Sequence, residues 1–131
     1  MNKIILFIAI LFIALVIYST SKPSNQEIAM TMVTNNDVEV ISEYLLEYKR
    51  LQGAFPNKND WFQNLNRVTN VSDYIYPRGS QSYDGVALDP WGNPYNYQHP
   101  GKINNGFFDL WSNGADGKVG GVGINKDIGN W

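Results

Sequence analysis

Asp89-Pro90-Trp91-Gly92-Asn93-Pro94, running on into Tyr95-Asn96-Tyr97-Gln98 and then Phe107-Phe108-Asp109-Leu110-Trp111, decides the fold. The first block is dense in turn formers, because Pro fixes φ while Gly and Asn accept left-handed geometry. The two stretches after it alternate like strands and are joined by the loop from Pro100 to Gly106. They predict an antiparallel hairpin whose aromatic faces cover a helix.

That helix lies upstream. Ile41, Tyr44, Leu45 and Tyr48 follow the i, i+3, i+4, i+7 rule of one face, with Glu39, Glu43, Glu47, Lys49 and Arg50 largely off it. Thr34 with Asp37 reads as a capping box opening the helix, and Gln26 to Val33 is mixed but compatible with helix. Gly53 should stop it, with Phe55-Pro56-Asn57 turning away. Asp60 to Asn66 can cap and form a short helix with Trp61, Phe62 and Leu65 inward. Residues 67–88 are ambiguous: Val71, Tyr74 and Tyr76 suit a strand, whereas Pro77, Gly79 and Gly85 suit loop. Asn70-Val71-Ser72 matches a glycosylation sequon and carries no weight here.

Ile4 to Tyr18 is an unbroken apolar run of 15 residues, with Lys3 before it and Ser19-Thr20-Ser21 after. At ~1.5 Å per residue it is about 22 Å long, short against the roughly 17–25 residues of a full span. A cleaved signal peptide and a buried core helix are the alternatives, but Tyr18-Ser19-Thr20-Ser21-Lys22 lacks a clear small-x-small cleavage pattern. The sequence therefore divides into a transmembrane signal-anchor at 1–22, broken at Pro23-Ser24-Asn25, and a domain at 23–131. Lys3 favours a cytoplasmic N-terminus, with Lys22 opposing it.

Composition excludes several functions. The chain has 131 residues and a formal net charge of −2. Without residues 1–22, eight basic residues face 12 acidic ones, a net of −4 with no basic cluster, so no nucleic-acid partner is expected. Without cysteine there is no disulfide framework and no thiolate metal site. No catalytic constellation stands out, so no enzyme is expected. His99, the one histidine, sits in a Gln-His-Pro turn, no serine lies in a nucleophile elbow, and turn-capping accounts for Asp84 and Asp89. Asp109, within a strand, should make a local hydrogen bond or salt bridge.

Residues 101–131 hold eight of the chain's 12 glycines, a composition that raises the entropy of the unfolded backbone. Ile124, Ile128 and Trp131 nevertheless look like packing residues. The loop is therefore either turned by glycine alone or ordered by a hard cation. Calcium takes roughly 6–8 oxygen ligands in a flexible geometry, and Asn113, Asp116, Asn125 and Asp127 supply side chains. Gly120 to Asn125 resembles one calcium-binding nonapeptide repeat, but that architecture needs stacked copies.

Three blocks carry a resemblance: Asp89 to Tyr97, then Phe108-Asp109-Leu110-Trp111-Ser112-Asn113-Gly114-Ala115-Asp116-Gly117-Lys118, and finally Asp127-Ile128-Gly129-Asn130-Trp131. Together they resemble the major pseudopilin family of the bacterial type II secretion system. Tyr48-Lys49 and Gly53-Ala54-Phe55-Pro56 extend the resemblance weakly upstream, to about residues 36–131. It implies a pilin-like α+β fold: an N-terminal membrane helix, a long amphipathic helix packed on a small antiparallel sheet, and a glycine-rich C-terminal calcium loop. It also implies Ca2+ held by Asp116, by carbonyls near Asn113 and Lys118, and by a later side chain. Asn125 fills that place where the family has acidic or hydroxyl residues, and Asp127 either joins it or serves a turn. The family's charged leader, Gly-Phe cleavage point and early Glu find no match, since no Gly precedes Phe7 or Phe12 and Ile4–Tyr18 holds no acid. The implied role is a structural or assembly component of protein secretion. Its partners are other pseudopilins or secretion-system membrane proteins, with a homo-oligomer open to it. Its place is the inner membrane, single-pass through residues 4–18, with the domain in the periplasm or cell envelope. The competing role is an anchored, calcium-ordered binding module outside any filament.

Overall fold

A computed structural model describes residues 3–20, 22–75 and 85–131, and within the first stretch the side chains of residues 5–16. Helix α1 is Lys3–Thr20, and every side chain described on it, from Ile5 to Val16, is exposed. Among the described residues no helix is long and apolar enough to cross a membrane.

Helix α2 is Asn25–Gln52. It starts nine residues before Thr34, because Ser24 and Glu27 form the capping box instead: Ser24 Oγ accepts the Glu27 N–H at 3.2 Å, and Glu27 Oε2 accepts the Ser24 N–H at 2.6 Å. Thr34 and Asp37, expected to open the helix, lie inside it on its buried face. Thr34 Oγ1 donates back to the Met30 carbonyl, the local bond of a mid-helix threonine. Gly53 ends the helix as expected, at φ 81° in the left-handed region that a side chain disfavours, its N–H returning to Lys49 O.

A 3-10 turn, Lys58–Asp60, leads into α3, Trp61–Thr69. This helix outlasts the expected Asn66, and Asp60 makes no side-chain cap. Asn70 closes it in the left-handed conformation, and Asn66 Oδ1 then accepts the Ser72 N–H at 2.8 Å. Val71 and Tyr74, suited on sequence to a strand, belong instead to the turn and short helix α4, Ser72–Ile75. Tyr76, Pro77, Gly79 and Asp84 lie outside the described residues.

Strands β1, Asn96–Gln98, and β2, Asp109–Ser112, pair antiparallel with Asn96 opposite Trp111 and Gln98 opposite Asp109. The hairpin expected from the sequence is therefore present. A third strand, β3 at Ile128–Gly129, pairs antiparallel with β2 and was not anticipated. Two residues are too few to show alternation. The core joins Val38, Ile41 and Leu45 of α2 to Trp61, Phe62 and Leu65 of α3 and to Tyr95, Tyr97, Phe108 and Leu110 of the sheet. Each large apolar side chain so buried contributes about 1.5–3 kcal/mol.

The strands run along α2, and this places the loops. Tyr95, just before β1, donates its hydroxyl to Asp37 Oδ2 at 3.0 Å. At the other end Phe55, beyond Gly53, packs on His99 and Phe108 at 4.9 and 5.1 Å between ring centroids. β2 returns from the Phe55 end to the Asp37 end, so the glycine-rich loop after Ser112 emerges at the Asp37 end of the sheet.

Candidate functional site

The three sequence blocks meet around β2. In the first, the Asp89 carboxylate is 2% exposed. Its Oδ1 accepts the backbone N–H groups of Trp91 and Asn93 at 3.0 and 2.9 Å, closing the Pro-Trp-Gly-Asn turn. Its Oδ2 accepts the Ser112 hydroxyl at 2.6 Å, and Ser112 Oγ accepts the Gly114 N–H at 3.0 Å. Asn93 Nδ2 donates to Gly114 O at 2.9 Å. The turn of the first block thereby fixes the start of the second. In the third, Asn130 Oδ1 accepts the Leu110 N–H at 3.0 Å, while Asn130 Nδ2 donates to Phe108 O at 3.1 Å.

Burial raises the Asp89 carboxyl above the usual carboxylate range, against the pull of Ser112 and the backbone donors of Asn93, Trp91 and Gly92. Tyr95 is held far above its ordinary value by burial and then by the Asp37 carboxylate, so it remains a hydroxyl donor. This buried Asp37–Tyr95 link was missed from sequence, yet Thr34, Asp37, Val38, Ile41 and Leu45 fall on one helical stripe, and a carboxylate there signals a buried partner. Asp109 makes the local bonds expected of it. Both of its oxygens accept backbone N–H groups, from Lys102, Ile103 and Asn104 at 2.6–2.9 Å. Burial pushes its carboxyl up, but these donors together hold it below the usual range.

The loop at 113–127 holds the five residues expected at a metal. Asn113 Oδ1 accepts the Trp111 indole N–H at 2.8 Å, and its amide reaches Gly117 O at 3.4 Å, so that side chain is already engaged. Asp116 Oδ1 accepts the Lys118 N–H at 3.1 Å. Asp127 Oδ2 accepts the Gly120 N–H at 2.9 Å, while its Oδ1 is shielded from solvent and accepts nothing. The loop folds back on itself: the Ala115 N–H donates to Ile124 O at 2.9 Å, and the Gly121 backbone lies against the Asn125 carbonyl. Among the described residues no three His, Asp or Glu gather for a metal. A cation here would draw on carbonyl oxygens beside Asp116 and Asp127, and the bare Asp127 oxygen fits that donor chemistry.

Elsewhere among the described residues, a shallow cleft against α3 is lined by Lys58, Asp60, Trp61, Gln63 and Val86, with no serine, threonine, cysteine or histidine in its lining. His99 bonds Phe107 O through Nδ1 at 3.0 Å and packs on Phe55.

Residues 23–131 match the family model described as Type II secretion system (T2SS), protein G. The Type II secretion system core protein G of Pseudomonas aeruginosa is 35% identical over 133 residues, covering 98% of this chain and 90% of that protein. The protein of the same name from Vibrio cholerae is 33% identical over 108 residues, covering 82% and 72%. The likeness thus reaches beyond residues 36–131, into the N-terminal segment. In fold, the chain is similar to the crystal structure of the major pseudopilin from the type 2 secretion system of enterohaemorrhagic Escherichia coli, with a TM-score of 0.53 at 22% identity, covering 84% of this chain and 92% of that one.

Proposed function

The chain belongs to the type II secretion system protein G family, and from that premise we propose that it is an anchored pseudopilin, a structural building block of protein secretion without catalytic work. The observation that carries this reading is the near full-length match to the Pseudomonas aeruginosa core protein. A likeness spanning 98% of the chain favours a component of the machine over a binding module that has kept only the domain. The interior supports it as well, since Asp37, Asp89, Asp109 and Tyr95 all spend their polar atoms on holding turns and strands together.

Residues 1–22 anchor the chain in the bacterial inner membrane, through the apolar run Ile4–Tyr18, and residues 23–131 stand on the outer side. The support is the run itself and the exposure of the described α1 side chains. Other pseudopilins and further copies of the chain are its partners. Calcium orders the last loop, taken up by Asp116 and by the bare Asp127 oxygen, with carbonyls from Asn113 and Lys118 and with Asn125 as the later ligand. The ion supplies positive charge where the chain leaves a shielded carboxylate oxygen unpaired.

Removing the chain from its host should stop type II-dependent export, the full chain should restore it, and residues 23–131 alone should not. Export that continues without the chain sinks the reading. Carbonate extraction should leave the full chain in the membrane pellet.

A further inference from the structure

Helix α2 carries two stripes. Thr34, Asp37, Val38, Ile41 and Leu45 are buried under the sheet and α3. At about 100° of rotation per residue, Ile28, Met32, Asn35, Glu39 and Glu43 fall together on the far side. Ile28 is 40% and Met32 67% exposed, and Asn35, Glu39 and Glu43 are exposed too. Among the described residues neither Glu39 nor Glu43 forms a salt bridge. The outer stripe is therefore apolar at its lower end and acidic above.

The glycine-rich loop has the complementary character. Val119 and Val122 are 82% and 84% exposed, more than any large apolar side chain described on α1. Lys118 and Lys126 beside them are exposed and form no salt bridge among the described residues. The loop follows the Ser112 end of β2, the end of the sheet that meets α2 at Asp37. It belongs to the sheet, which packs on the buried stripe, so one molecule cannot bring its own valines onto the outer stripe.

The geometry points to a second copy of this chain as the occupant: the 118–126 loop of one copy docks on the outer stripe of α2 in the next, Val119 and Val122 against Ile28 and Met32, Lys118 and Lys126 toward Glu39 and Glu43. This rests on the assembly reading above and names its contact. The two surfaces differ, so the contact is heterologous and repeats from copy to copy, growing a filament or closing a ring.

The chain has no cysteine, so the full-length protein in membranes takes Met32→Cys and Val122→Cys as its only thiols. With both in one chain, mild oxidation should give a ladder of disulfide-linked multimers. Mixing the two single variants should give dimers and nothing larger, and either variant alone should give none. Lys126→Glu should weaken the ladder and Glu39→Lys should restore it. Formaldehyde cross-linking of the same membranes reports assembly by any contact. Formaldehyde multimers without the Met32–Val122 disulfide overturn this docking and leave assembly standing. Neither product overturns both.

Discussion

Two irregular connections leave β2, one at each end, and each depends on aspartates. At the Phe55 end, Asp109 is the one aspartate that ties the 99–108 loop, its two oxygens accepting three consecutive backbone N–H groups. Gly101 lies so close to that carboxylate that a Cβ would sit 2.7 Å from Asp109 Oδ1. At the other end, Asp116 takes one N–H, Asp127 takes one, and the second Asp127 oxygen is shielded and bare. The first loop is satisfied from within the chain, whereas the second leaves an acceptor without a donor. Backbone donors that exhaust an aspartate's oxygens make it structural, and a shielded oxygen they leave bare calls for a further partner.

The largest effect should come from breaking the closed loop. Asp109→Ala leaves three backbone N–H groups without their acceptor at roughly 1 kcal/mol or more each, so a loss of about 3 kcal/mol is expected in urea unfolding. Calcium should not recover it. The open loop should respond to calcium alone. A ligand at 100-fold over its Kd stabilises by about 2.7 kcal/mol, so the melting midpoint of the full chain in detergent should rise with millimolar calcium against chelator. Asp127→Asn should abolish that rise and cost little in chelator, where it removes a shielded charge. A midpoint insensitive to calcium in the parent chain would remove the metal from the loop and leave the glycine turns as its only device.

How much of this was legible follows the same division. The hairpin, the Gly53 stop and the inward Trp61, Phe62 and Leu65 came from periodicity and turn chemistry, which are local signals. Asp109 was recognisable as a local hydrogen-bonding residue because its partners lie within seven positions. The start of α2 was misplaced because Thr34 and Asp37 read as the capping pair, with Asp in place of the usual Glu or Gln. Ser24 and Glu27 match the pattern in full, and Asp37 is buried against Tyr95. The Asp89–Ser112 bond spans 23 residues and β3 is two residues long, so neither leaves a periodic trace. At the candidate metal loop, residue types were readable, but the unequal use of the two Asp127 oxygens was not.

Within the open loop, two neighbouring glycines sharpen the contrast further. Gly120 and Gly121 both adopt φ 89°, but a Cβ on Gly121 would sit 2.4 Å from the Asn125 carbonyl oxygen, whereas Gly120 faces open space. Gly120→Ala should cost about 1 kcal/mol for the left-handed backbone alone. Gly121→Ala adds a backbone collision and should cost about 2–3 kcal/mol. Thermal melts of the pair in chelator measure the difference, and equal losses would show that the fold-back at Asn125 contributes nothing.

The smallest expected effect separates Asp109 from Asp89 by the sign of their pH dependence. Asp109 titrates below its ordinary value of 3.8 in the folded chain. The unfolded state then binds more protons in that window, so its contribution is complete above 3.8 and drains away as pH falls through the folded value. Asp89 titrates above 3.8 because burial outweighs its donors. The folded state there holds the extra proton, so stability falls as pH rises from 3.8 through the raised value. Urea midpoints measured across the acid range should therefore lose their low-pH decline in Asp109→Asn and become flatter just above 3.8 in Asp89→Asn. Asparagine keeps an oxygen for the Trp91 and Asn93 N–H groups, so the second variant should fold. If both substitutions moved the profile in the same direction, the account of Asp89 as a carboxylate governed by burial would be wrong.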